Sequence, residues 1–330
     1  MPHAAIIGVG GYLPERVMSN ADLEKLVDTN DEWIVTRTGM RERRIAAEDQ
    51  ATSDLGAEAA KAALADAGLT PADLDLILVG TSSPDHSFPS SAAVLQALIG
   101  ATCPAMDVLA ACTSFIFALA QATAAIEAGR ARTVLVVGAD ALSKHVDFTD
   151  RATCVLFGDG AGAVVLQAAD EPGVLGIDLG SDGTGAGVLA IPAGGSRYPA
   201  TAERVAAGMQ YLTMAGSDVF KFAVRVIPDT TRRALAASAL AVDDVTWLVP
   251  HQANQRILDT VADRLGIDHT RVFSNLEFNG NTSAASIPLA LNDLYTGAYL
   301  KPGDTIVLVG FGGGLTWGAA VVRWTKGTPR

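Results

Sequence analysis

Seven stretches of the chain are almost purely apolar and rich in β-branched residues: AAIIGVG, LDLILVG, TVLVVGAD, TCVLFGDGAGAVVL, VTWLVP, TIVLVG and GAAVVRW. Short runs of this kind, bounded by Gly, Pro or charge and flanked by helical patterns, predict strands buried on both faces of parallel α/β sheets. The opening MPHAAIIGVGGYLPER reads as a first strand, because it has neither the basic lead-in nor the small-residue cleavage site of a signal peptide. No apolar stretch reaches the roughly 18 residues that a membrane span requires.

The pattern repeats. ALADAGLTPADLDLILVG from Ala63 resembles ALAASALAVDDVTWLVPH from Ala234, 171 residues on, and TVLVVG from Thr133 resembles TIVLVG from Thr305, 172 residues on. Two matches at nearly one offset predict a duplicated α/β unit, with halves at 1–170 and 171–330 and a seam near AADEPG at 168–173.

The offset also arranges the polar residues. Thr113 or Ser114 can cap a helix that ends at Gly129, and Thr282 or Ser283 can cap its counterpart. Cys112 then falls at a helix start, Asn281 takes the matching place in the second half, and His251 ends the strand VTWLVP. All three sit at carboxyl ends of strands or starts of helices, the edge where open α/β sheets bind ligands. A helix amino terminus favours a thiolate, so Cys112 is a candidate nucleophile, against the plainer reading of a small buried side chain. A neutral imidazole and a carboxamide both donate hydrogen bonds, and on one thioester oxygen they would stabilise an enolate. Taken singly, His251 is a polar strand end and Asn281 a turn residue. GFGGGLTWG at 310–318 can bring backbone N–H groups to a reacting oxygen, with Gly313 the natural donor, or is a plain turn. FGDGAGA at 157–163 lacks the Lys and spacing of a phosphate loop and reads as a tight strand connection.

Composition narrows the partners. With 330 residues, 49% hydrophobic content and 33 Gly, the chain can form large buried cores. A formal charge of −12 argues against nucleic acid, which needs a basic face to displace counterions. An anionic partner must use a local basic patch: Arg37, Arg41, Arg43 and Arg44, or Lys221, Arg225, Arg256 and Arg264, unless these are simply solvated. Three cysteines, Cys103, Cys112 and Cys154, have no metal-ligand spacing and fit a reducing cytoplasm better than a disulfide scaffold.

With these residues in view, the chain resembles the β-ketoacyl-acyl-carrier-protein synthase III family of thiolase-fold condensing enzymes. The likeness runs end to end: DEWIVTRTGMRER at 31–43, ACTSF around Cys112, FGDGAGA, LTMAGSDVFKFAV at 212–224, VPHQANQRI at 249–257, GNTSAAS at 280–286 and GFGGGLTWG. It implies a duplicated five-layered α/β/α/β/α fold and a homodimer. It implies that Cys112 takes an acyl group, typically acetyl, from acyl-CoA, with Cys112 and Gly313 N–H groups as oxyanion hole. His251 and Asn281 would then hold the thioester oxygen of malonyl-carrier protein while carbon dioxide leaves, and the carbanion would attack acyl-Cys112. CoA thioesters are substrates and no separate cofactor is implied. Decarboxylation replaces the base that thiolases supply with a second Cys, and no Cys follows Cys154.

By the same resemblance Trp33 stacks on the adenine of CoA, Arg37 and Arg151 meet its phosphates, and Thr29 and Asn254 line the channel. Lys221 and Arg256 would dock the acidic carrier protein, and Phe88 would reach the partner subunit's acyl pocket; its plainer reading is a buried aromatic. The chain departs from the family in three places. Asp263 and Arg264 replace a common Lys pair, Ser114 replaces a common Gly, and FNGN precedes Thr282 where a basic version is usual. These departures bear on docking and acyl specificity more than on reaction type. Three other readings stay open on sequence: a specialised relative serving polyketide or other secondary metabolism, a cysteine hydrolase with Cys–His–Asn in papain-like order, and a non-catalytic partner subunit.

Overall fold

The computed structural model describes residues 2–328. Its first sheet has five strands in the order His3–Tyr12, Gly160–Ala169, Thr133–Asp140, Leu76–Gly80, Ala105–Val108. The two joins around Gly160–Ala169 are antiparallel and the other two parallel, so the sheet is mixed rather than parallel throughout. The second sheet runs Val174–Ser181, Thr316–Arg323, Thr305–Gly312, Trp247–Pro250 and repeats that order: two antiparallel joins, then a parallel one. A single bridge from Leu248 to Val272 stands where the fifth strand would be. The chain passes from one sheet to the other at 170–173.

Burial sorts the helices into layers. Ser114–Glu127 and Ser286–Thr296 lie between the sheets, Thr52–Ala67 and Ser91–Ile99 cover the outside of the first, and Gly216–Ala237 and Gln255–Leu265 cover the second. The result is α/β/α/β/α. Helix Ser114–Glu127 is apolar nearly all round because it is enclosed on all sides; Phe115, Ile116 and Leu119 have no exposed surface. Each such side chain contributes about 1.5–3 kcal/mol on burial. They share one core with Val136 and Val164 of the first sheet and Ile306 and Leu308 of the second. The outer helix Gly216–Ala237 instead buries Phe222, Val226 and Ile227 and turns Lys221, Arg225 and Asp229 to solvent.

Two glycines let the middle layer sit low on the first sheet. A Cβ at Gly138 would collide with the Ala284 carbonyl, and one at Gly162 would come 2.6 Å from Leu289 N. The run TCVLFGDGAGAVVL is not one strand. Arg151–Cys154 forms a helical turn, and Cys154, Val155 and Phe157 pack on Met18, Leu23 and Ile34. Asp159 accepts from Ala46 N and from Ser143 N and Oγ, and the ladder begins only at Gly160. Apolar content alone could not separate this satellite core from a strand.

Candidate active site

The nucleophile candidate does not start a helix directly. A tight turn, Ala111–Thr113, precedes helix Ser114–Glu127, and Cys112 is its middle residue, 6% exposed. Ala111 takes a left-handed φ of 48°, rare for a residue with a side chain. Ser114 holds the turn by accepting from Ala110 N at 2.8 Å and donating to Ala111 O at 2.6 Å. Neither Thr113 nor Ser114 makes a helix-capping hydrogen bond, contrary to expectation.

The second half repeats the turn as Ser283–Ala285 before helix Ser286–Thr296, with Ser283 at φ 51°. Neither Thr282 nor Ser283 caps that helix; its cap is Ala285. The residue matched to Cys112 is accordingly Ala284, not Asn281, which lies three residues earlier. Asn281 is fixed instead by its backbone: its N–H donates to Leu156 O and its carbonyl accepts from Gly158 N. Its Oδ1 accepts from Ser283 N at 2.9 Å, which leaves Nδ2 to donate elsewhere.

His251 ends strand Trp247–Pro250, with its N–H on Val309 O. Its ring packs edge-on against Phe311 and its Nδ1 lies 2.6 Å from Ser286 Oγ. Gln252 N–H also points at that oxygen, an arrangement that suits a hydroxyl donating to Nδ1 with the ring proton on Nε2. Burial pushes the imidazole down to about 3, so it is uncharged at neutral pH. The unfolded chain regains the ordinary 6.5. Stability from this group is therefore full above pH 6.5 and falls as pH drops toward 3. A reaction rate that depends on His251, measured from pH 5 to 8, is expected to show no inflection near 6.5; one that follows a group titrating there would contradict an uncharged His251.

These pieces meet in one cavity of about 140 Å³, lined among others by Cys112, His251, Asn281, Asn254, Phe157 and Phe311. A second, of about 170 Å³, adjoins it at Cys112 and is walled by Leu142, Phe157, Leu189, Ile191 and Leu212, with Ser82, Ser283 and Gly313 at its polar side. Among the described residues no carbonyl accepts from the Cys112 or Gly313 N–H. Burial pushes the Cys112 thiol up to about 12, so the anticipated lowering by a helix terminus does not prevail. A papain-like ion pair is disfavoured by the same two groups, since the imidazole is a weak base and the thiol a weak acid here.

The outlying candidates divide into groups. Arg151 stacks over Trp33 at 4.9 Å, a gap too small for a purine, and donates to Asp28 O. Asn254 caps helix Gln255–Leu265 and donates to Arg37 O, joining those two positions. Thr29 Oγ1 is buried with no partner among the described residues. Lys221 and Arg256 are exposed, Lys221 near Asp218 at 3.6 Å and Arg256 over Phe220. Asp263 pairs with His269 at 2.9 Å, and Arg264 donates to Val224 O. Phe88 is 86% exposed and stands outside both cavities, which excludes the buried-aromatic reading within this chain.

Two polar residues, Asp140 and Ser286, escaped the sequence reading, and a third, Ser283, was expected only as a helix cap. Asp140, with no exposed surface, accepts from Thr81 Oγ1, Ser82 N, Ser83 N and Oγ, and across the halves from Ala284 N. Ser286 orients His251, and Ser283 Oγ lies 3.4 Å from Cys112 Sγ. The two serines stand inside GNTSAAS, and the 172-residue offset of the strands, carried to the turns, pairs Ser283 with Ala111.

Two copies of one α/β unit, with a sulfur from the first and uncharged donors from the second around one cavity, define a thiolase-like condensing enzyme. The model for 3-oxoacyl-[acyl-carrier-protein] synthase III matches residues 106–183 and the model for its C-terminal part matches 235–324. The chain is 51% identical over 328 residues, 99% of each protein, to a β-ketoacyl-[acyl-carrier-protein] synthase III of Desulfitobacterium hafniense (strain DSM 10664 / DCB-2). It superposes on synthase III of Thermus thermophilus with a TM-score of 0.90 at 47% identity, covering 97% of this chain and 99% of that one. The priming β-ketosynthase of the R1128 polyketide pathway gives 0.93 at 36% identity, covering 100% and 98%. The chain belongs to the β-ketoacyl-acyl-carrier-protein synthase III family.

Proposed function

We propose that this enzyme transfers an acyl group, in the first instance acetyl, from CoA to Cys112 and condenses it with malonyl-acyl-carrier protein, starting fatty acid synthesis. The observation that carries the reading is the shared cavity, where His251 Nε2 and Asn281 Nδ2 are both left to donate beside Cys112. In the first step the sulfur attacks the thioester carbonyl, whose oxygen is received by the Cys112 and Gly313 N–H groups. In the second, malonyl thioester oxygen takes hydrogen bonds from His251 and Asn281. Loss of carbon dioxide puts negative charge on that oxygen, where two fixed donors stabilise it. The carbanion then displaces Cys112 and leaves as the 3-oxoacyl thioester.

The same reading gives the surface residues their roles. Arg151 swings off Trp33 to admit adenine and joins Arg37 at the phosphates, and Thr29 and Asn254 line the way in. Lys221 and Arg256 receive the acidic carrier protein. The open edge strand Ala105–Val108, with Met106 in it and Leu109 just after it exposed, supports a homodimer. Phe88 then completes the partner's acyl pocket. The working compartment is taken to be the cytoplasm. The likeness to the polyketide priming synthase supports the second reading, priming in secondary metabolism. Incubation with a panel of acyl-CoAs and intact-mass detection tests both. An adduct mapping to the Cys112 peptide, strongest with acetyl, supports the first reading, and one confined to unusual primers supports the second. No adduct with any primer would refute both.

A further inference from the structure

We infer that the Ser283 hydroxyl is a catalytic group of the acylation step: it donates a hydrogen bond to Cys112 Sγ and is itself oriented by Ser82. The inference rests on the proposed role of Cys112 as nucleophile. Ser283 Oγ is 3.4 Å from Sγ and 3.3 Å from Ser82 Oγ, and no backbone atom among the described residues uses it. The side chain is not needed to hold its own turn, because Ser283 N is taken by Asn281 Oδ1 and Ala284 N by Asp140 Oδ2. A left-handed φ of 51° would suit glycine better. The matched residue in the first half, Ala111, carries only a methyl group at a φ of 48°. The hydroxyl is thus unexplained by the fold and explained by the sulfur beside it.

A thiolate only accepts hydrogen bonds. When Cys112 ionises, the Ser283 O–H turns to Sγ and the Ser82 O–H to Ser283 Oγ, a short chain in which each bond strengthens the next. This opposes the burial that holds the thiol protonated. The sulfur then bonds to the acyl carbon, the bond from that carbon to the CoA sulfur breaks, and its electron pair leaves with CoA. The proton given up by Cys112 ends on the CoA thiol.

The test is the pH profile of Cys112 alkylation by iodoacetamide, followed on the Cys112 peptide to separate it from Cys103 and Cys154. For Ser283→Ala the midpoint is expected to rise by about one unit, which is about tenfold in rate at fixed pH below it. Ser82→Ala should move it the same way by roughly threefold in rate, through loss of the orienting bond. An unchanged or lowered midpoint in Ser283→Ala overturns the inference. Should circular dichroism show that variant unfolded, Ser82→Ala decides, and an unchanged profile overturns it equally. Alkylation needs no acyl-CoA. Wild-type protein that alkylates normally but takes no acyl group would sink the proposed function while leaving this result readable.

Discussion

His251→Ala is expected to lower carbon dioxide release from malonyl-carrier protein by about 10³-fold while the acyl adduct on Cys112 still forms. In the proposed mechanism the decarboxylation transition state gathers charge on one oxygen, and His251 would supply one of the two side-chain donors to it. Removing a preorganised donor of this kind costs on the order of 10²–10³ in rate. The upper end applies because the ring is buried and its Nδ1 is held by Ser286, so the donor is fixed in place before substrate arrives. In the proposed mechanism acylation relies on the backbone N–H groups of Cys112 and Gly313 instead, because burial makes the His251 ring a weak base. Labelled carbon dioxide capture and intact mass read the two steps separately. Loss of both together would make His251 the base for Cys112, and survival of both would remove it from the chemistry.

Asp140→Ala is expected to destabilise the fold by about 4 kcal/mol and lower Tm by roughly 10 °C. The carboxylate collects five donors in a site with no exposed surface, four from its own half and one, Ala284 N, from the other. Alanine leaves them unsatisfied in the interior, where each costs about 1–3 kcal/mol before relaxation. Because Ala284 follows Ser283, the damage should also reach Cys112 reactivity. Asp140→Asn retains one acceptor atom and should recover part of the loss. Chemical denaturation gives the answer, and a change below about 1 kcal/mol would mean that the halves are not tied there.

The sheets were legible because their strands are short, apolar and repeated at one offset, and TVLVVG and TIVLVG do occupy equivalent central places. That Cys112, His251 and Asn281 would lie near one another was legible too, although Cys112 sits in a turn before its helix and Asn281 just ahead of the matching turn, rather than at helix starts. Helix starts were not. The residues expected to cap them either clamp a left-handed turn, as Ser114 does, or face the sulfur, as Ser283 does. Such φ angles leave no mark in a string of alanines and serines. The rise of the Cys112 thiol was hidden too, because it comes from enclosure by distant segments rather than from neighbours along the chain.

The paired turns carry a consequence for how such a centre can be built at all. In a symmetric association of identical subunits, every residue at the axis occurs twice, so a thiol on one side imposes a thiol on the other. Here both copies belong to one polypeptide, and the seam is free to differ: sulfur at 112, a bare methyl at 284, a hydroxyl at 283. One polypeptide can thus divide the labour between its two copies, and in the proposed mechanism one copy reacts while the other steadies it.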